Sequence, residues 1–187
     1  MEFHRHFNEF TLTNTDLINF AILCFISLTM IGIIAKLSIK KTKTLAWAIS
    51  FINSLSMSIV GIIYFYFVYD KYPQFFSFGE NGASMYEDKS NFNVLVCVWF
   101  GVVNIFDLIY GLLFYPQFLS VLTTYVHHTV FAYACLIFAT GNGILFTTTP
   151  SPGGFVFSML EEIPTFLLAL GKLVCVIYTS VHHVCIL

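Results

Sequence analysis

The sequence predicts an all-α protein, a polytopic bundle of about five transmembrane helices, and three observations predict it. Of the 187 residues, 58% are hydrophobic and only 10% are charged, against roughly 25% charged in soluble domains, and the mean hydropathy is +0.83. The apolar residues fall into five segments close to the ~20 residues that a helix needs to cross a hydrocarbon core. Runs such as Ile22-Leu23-Cys24-Phe25-Ile26 do not alternate, whereas a membrane β-barrel alternates apolar and polar residues over stretches of ~10.

The first segment covers about residues 17–37. About sixteen mostly polar residues precede it, it exceeds the 7–15 apolar residues typical of a signal peptide, and basic residues follow it where a cleavage site would need small ones. It is therefore expected to be retained as a helix. Lys36, Lys40, Lys41 and Lys43 crowd the connection to the second segment, 44–69, and hold that connection in the cytosol by the positive-inside rule. The N-terminal stretch 1–16 is then lumenal and 17–187 is the membrane domain. Tyr64-Phe65-Tyr66-Phe67 near the far end of the second segment read as interfacial anchors.

The next connection, 70–91, carries Asp70, Glu80, Glu87 and Asp88 against Lys71 and Lys89, which suits the lumenal side. The third segment, 92–114, descends to a turn at Tyr115-Pro116-Gln117. The fourth, 118–140, rises to a Pro- and Gly-rich loop over 141–154, and the fifth, 155–178, returns. Cys24, Cys97, Cys135, Cys175 and Cys185 lie in or beside these segments without a CxxC spacing and read as small buried hydrophobes. His182, His183 and Cys185 lack a supporting carboxylate, so no metal is expected. Phosphate loops and a GxSxG elbow are missing from the chain, and its near-neutral charge argues against nucleic acid.

What remains is intramembrane polarity, which is costly in hydrocarbon and so marks candidate sites: Asp107, the adjacent pair His127-His128, and Glu161-Glu162 ahead of Pro164. Asp107 stands about seven residues before the turn and His127 about ten after it. At 1.5 Å per residue both lie on the order of 10–15 Å from the same surface on antiparallel neighbours, so they can meet. Neutral imidazole accepts a proton near physiological pH, and a carboxylate on its other nitrogen fixes the tautomer; that is the logic of a general base. The bland alternative is that these groups brace helices by hydrogen bonds worth about 0.6 kcal/mol. Glu161 and Glu162 point ~100° apart, so one at most is expected to serve a common cavity. Pro164 is expected to kink the helix by freeing the Leu160 carbonyl.

Asp107, then YVHHTVFAYACL, then MLEEIPTFLLALGKL in the following helix resemble the TLC-domain superfamily over about 45–170. LEEIPTFLLAL is similar to the LxExSTPFL-like stretch of the uncharacterised TLC-domain subgroup, with Thr-Pro altered to Pro-Thr. The resemblance implies a multi-helix protein of the endoplasmic reticulum whose partners are membrane lipids. For ceramide synthases it implies N-acyl transfer from acyl-CoA, with His127 and His128 matching their essential pair; Asp107 is their expected partner from its depth alone. Those enzymes follow their histidines with an HDxxD-type acidic motif, and nothing from Thr129 to Lys172 supplies it. Two functions are therefore expected. The first is lipid homeostasis through binding or sensing in a polar-cored bundle, with Glu161, Glu162 and Pro164 at the lipid cavity. The second is acyl transfer with acyl-CoA as co-substrate; no cofactor is implied by either. The domain reads as shortened at its C-terminus relative to the family, and a missing helix would favour pairing with another copy or another chain.

Overall fold

A computed structural model describes residues 12–71, 91–140 and 162–184, and among them the chain is helical with no strand. The helices are α1 (Asn14–Ser38), α2 (Thr42–Lys71), α3 (Asn91–Phe114), α4 (His127–Thr140) and α5 (Glu162–Val184). A 3-10 turn, Pro116–Phe118, and a π-helical turn, Val121–Val126, join α3 to α4. The all-α class read from the sequence is the class observed. Three helices among the described residues are long and apolar enough to cross a membrane: Asn14–Ser38, Thr42–Ile63 and Asn91–Phe114. The protein is membrane-embedded.

α1 starts on a capping box: the Thr13 hydroxyl accepts the Asp16 N–H, and the Asp16 carboxylate accepts the Thr13 N–H at 2.9 Å. Two of the orphan donors at the helix start are thereby satisfied. Only Cys24, Leu28 and Gly32 are buried on α1, a narrow stripe at fourfold spacing. Ile22, Leu23, Ile26, Met30 and Ile34 are exposed around it, the arrangement of a helix with lipid on most of its surface.

α3 is the central helix, with 44% of its spanning window buried against 17% for α1. It packs against α1 on one side and α4 on the other and also meets α2, while α5 packs against α2. The α1–α3 contacts run in register: Phe25 meets Phe106 edge-on at 6.2 Å, and the Tyr110 hydroxyl donates to the Gly32 carbonyl at 2.6 Å. Both helices thus run the same way, and Lys36 near the end of α1 lies over the Phe114 ring at 5.4 Å. α3 and α4 run oppositely, because Phe100 meets Phe131 at 5.8 Å and Asn104 meets His128. Gly101 allows that approach; a Cβ there would sit 3.1 Å from the Cys135 Cβ.

The fourth segment differs from its sequence expectation. Instead of one helix over 118–140, Pro116 opens a 3-10 turn closed by Phe118 N–H to Tyr115 carbonyl at 3.0 Å, and a wide turn follows. The Ser120 carbonyl accepts from both the Thr124 and Tyr125 N–H groups, at 3.1 and 3.3 Å. Regular α-helix starts only at His127 and continues for 14 residues, about 21 Å. Proline fixes its φ and gives no N–H, so the chain re-enters the helix through tighter and wider turns first. The fifth segment is described from Glu162 and reaches Val184, beyond its expected end; 155–161 lie outside the described residues, as do the connections over 72–90 and 141–161. Pro164 falls in the first turn of α5, where a missing N–H costs no intrahelical bond, and Leu160, the carbonyl it was expected to free, is not described. Cys24, Cys97 and Cys135 are buried as expected, but Cys175 is exposed.

Candidate functional site

Four helices and the α3–α4 turn enclose a cavity of about 790 Å³, within the 300–1,000 Å³ usual for ligand pockets. α2 contributes one face: Lys43, Trp47, Ser50, Asn53, Ser54 and Met57 line the cavity, recurring every three or four residues as one side of a helix must. Across from it stand Asn104 and Asp107 of α3, Tyr115 of the turn, and His127 and His128 of α4; Glu162, Thr165 and Leu168 of α5 close the remaining side. α4 and α5 share no more than marginal contact among the described residues. Among the described residues the cavity therefore has no helix–helix seam on that flank.

The polar centre is built around Asp107. Its Oδ1 accepts the Tyr115 hydroxyl at 2.9 Å, and its Oδ2 lies 3.6 Å from His128 Nδ1. The second distance is that of a charge contact, longer than a good hydrogen bond. His128 Nδ1 also lies 3.4 Å from the Asn104 carbonyl, so both neighbours of that nitrogen are acceptors and the nitrogen carries the proton. Nε2 is left as the basic atom. The side chains of Asp107 and His128 are each 16% exposed.

Sequence spacing brought Asp107 level with His127, but His128 is the one that meets it. Neighbouring residues on a helix point ~100° apart, and once His128 faces α3, His127 turns aside. Its ring lies against Phe131 at 4.4 Å and 5.5 Å from His128, while still reaching the cavity. Glu162 lines the cavity; Glu161 lies outside the described residues, and Pro164 is exposed and not part of the lining. Phe166, one turn after Glu162, packs on Phe51 at 5.3 Å, which puts Glu162 within about 6 Å of the Phe51 level along the bundle.

Tyr115, Asn104 and Asn53 were missed by sequence reasoning, and the two asparagines left a trace. Asn104 precedes Asp107 by three residues and so shares its helix face. Ser50, Asn53 and Ser54 form a polar patch at helical spacing within an apolar helix. Tyr115 carried none beyond its place in the turn. Among the described residues no group of three His, Cys, Asp or Glu side chains could hold a metal ion, and the side chains of His182, His183 and Cys185 are not described. What the arrangement offers is a basic imidazole nitrogen, oriented by a carboxylate that a phenol holds in place, on the wall of a half-open intramembrane cavity. No protein-family model, curated protein or solved structure matches the chain.

Proposed function

We propose that this chain is a TLC-domain-like protein of lipid homeostasis, resident in the endoplasmic reticulum, that binds or senses membrane lipids in the cavity centred on Asp107 and His128. One observation carries the reading: a cavity of ligand size has its polar residues on inner walls, while the outer surfaces of α1, α4 and α5 expose Ile22, Leu23, Leu136, Leu167 and Val174. A ligand with a long apolar part can enter from the bilayer and leave its polar part at the cluster. In this reading five helices cross the membrane, and the lysines between α1 and α2 face the cytosol.

A second reading, N-acyl transfer from acyl-CoA, is favoured by Lys43, which lines the cavity directly after exposed Lys40 and Lys41. These cations suit the phosphates of a CoA thioester. An amine would attack the thioester carbonyl, His128 Nε2 would take the amine proton and pass it to the departing sulfur as the carbon–sulfur bond breaks, and CoA would leave as the thiol. The missing acidic motif after the histidines weighs against this and keeps lipid binding in first place.

Purified protein decides between them. Lipid binding without turnover is expected: no amide product from acyl-CoA and a long-chain amine, and a changed lipid profile in cells lacking the protein. His128→Gln removes the base but keeps hydrogen-bonding capacity, so cellular lipid composition should shift only in part. Robust acyl transfer by the wild type, abolished in His128→Gln, overturns the ranking. Topology is tested separately: a glycosylation reporter inserted between Lys36 and Lys43 stays unmodified, and one between Gly79 and Lys89 is glycosylated. Both reporters on one side would end the five-span arrangement.

A further inference from the structure

Among the polar side chains of the cavity wall, most already have partners within the protein. The Asn104 amide donates to the Phe100 carbonyl at 2.8 Å, the Ser54 hydroxyl to the Ser50 carbonyl at 2.7 Å, and the Tyr115 hydroxyl to Asp107. Asn53 differs. It is 9% exposed, it lines the cavity, and its Nδ2 has no hydrogen-bond partner among the described residues. A buried donor left in this condition costs stability, and in native proteins such groups are rare enough to need a reason. Nδ2 itself is sealed from solvent in this rotamer, and the terminal amide turns about a soft, two-fold torsion, so a half-turn brings it to the cavity.

We infer that Asn53 is the recognition group for the carbonyl oxygen of an uncharged acyl lipid, an ester or an amide, whose chain occupies the cavity. The inference rests on the lipid-binding reading of the same cavity. A donor calls for an acceptor, and three classes are available. A carboxylate or phosphate at Asn53 would bring negative charge into a cavity that already holds Asp107 and Glu162, and the lining cation, Lys43, stands ten residues back on α2, about 15 Å along the helix. A hydroxyl would bring a proton needing its own acceptor. A carbonyl oxygen accepts only and carries no charge, so it satisfies the amide without creating a new orphan. The flank between α4 and α5, which has no helix–helix seam among the described residues and is bordered by exposed Leu167 and Leu168, gives a bilayer lipid its route.

The test uses the full chain in dodecyl maltoside, a detergent without carbonyl groups. Mono-oleoylglycerol, oleoylethanolamide and the ether 1-O-oleylglycerol are titrated, read by the fluorescence of Trp47, which lines the cavity, in a Trp99→Phe background. The ester or the amide should bind about tenfold tighter than the ether, and whichever does so identifies the source of the carbonyl. In Asn53→Leu the preference should fall to within about twofold, with thermal stability of the unliganded protein unchanged or higher, since an orphaned donor has been removed. Should leucine overfill the site, Asn53→Thr withdraws the donor instead, its hydroxyl turning to the Ile49 carbonyl one turn back. Ether binding as tight as ester and amide binding, or a preference that survives both substitutions, overturns the role of Asn53 and leaves the lipid cavity standing. Binding of none of the three removes both.

Discussion

Asp107→Leu is expected to lower the stability of the bundle by about 2 kcal/mol, because it strips the acceptor from the Tyr115 hydroxyl and from His128 together. A buried donor left unsatisfied costs about 1–3 kcal/mol, and the Asn104 carbonyl near His128 Nδ1 keeps the total from reaching the sum of two such losses. Tyr115→Phe alone should cost less, about 1 kcal/mol, since Asp107 retains His128. The discriminating measurement is a pair of double-mutant cycles read by unfolding in mixed maltoside–SDS micelles. Asp107 with Tyr115 should show coupling of about 0.6–1.7 kcal/mol, the range for hydrogen bonds within membrane bundles. Asp107 with His127 should be additive within about 0.5 kcal/mol, because His127 packs on Phe131. Coupling of Asp107 to His127 as large as that to Tyr115 would contradict the placement of His127 away from the aspartate.

Gly32→Leu should break the α1–α3 seam. A Cβ at Gly32 would stand 2.7 Å from Tyr110 Cε2 and 3.0 Å from Phe106 Cζ. The tyrosine ring has little freedom to withdraw: its hydroxyl is bonded to the Gly32 carbonyl, and it packs against Phe106, Phe114 and Tyr115 at centroid distances of 5.2, 4.5 and 6.0 Å. Overpacking of this kind costs about 1–3 kcal/mol, and losing the hydroxyl–carbonyl bond adds to it. Gly32→Ala should fall at the low end and Gly32→Leu at or above the high end. Because Tyr115 also holds Asp107, Gly32→Leu should weaken lipid binding without touching the cavity. Wild-type stability in Gly32→Leu would show that α1 is not seated against α3 as described.

Some of this was legible in the residues and some was not, for physical reasons that differ from element to element. Hydrocarbon demands that backbone polar groups be satisfied within a segment, so long apolar runs dictate helices whatever their neighbours; α1, α2 and α3 follow to within a few residues from that alone. The capping box at Thr13 and Asp16 is just as local, but it came to light only in the folded helix start. The start of α4 was not legible in the residues. Pro116 signals a turn, but whether the chain continues as α, 3-10 or π depends on where α4 must sit against α3, which Gly101 and Cys135 decide.

The site divides in the same way. The depth of Asp107 and of the histidine pair follows from 1.5 Å per residue and a single turn between them, so their meeting is a one-dimensional matter that the sequence determines by itself. Which histidine meets the aspartate is a question of helix rotation. Two residues ~100° apart are equivalent to any count along the chain, and only the packing of α4 on α3 turns His128 inward. Asn53 is the extreme case: nothing in its own segment separates it from the neighbouring serines. Its distinction is that α3, α4 and α5 place a cavity before it and, among the described residues, no partner beside its Nδ2. That is a property of the space between helices, and a linear sequence does not carry it.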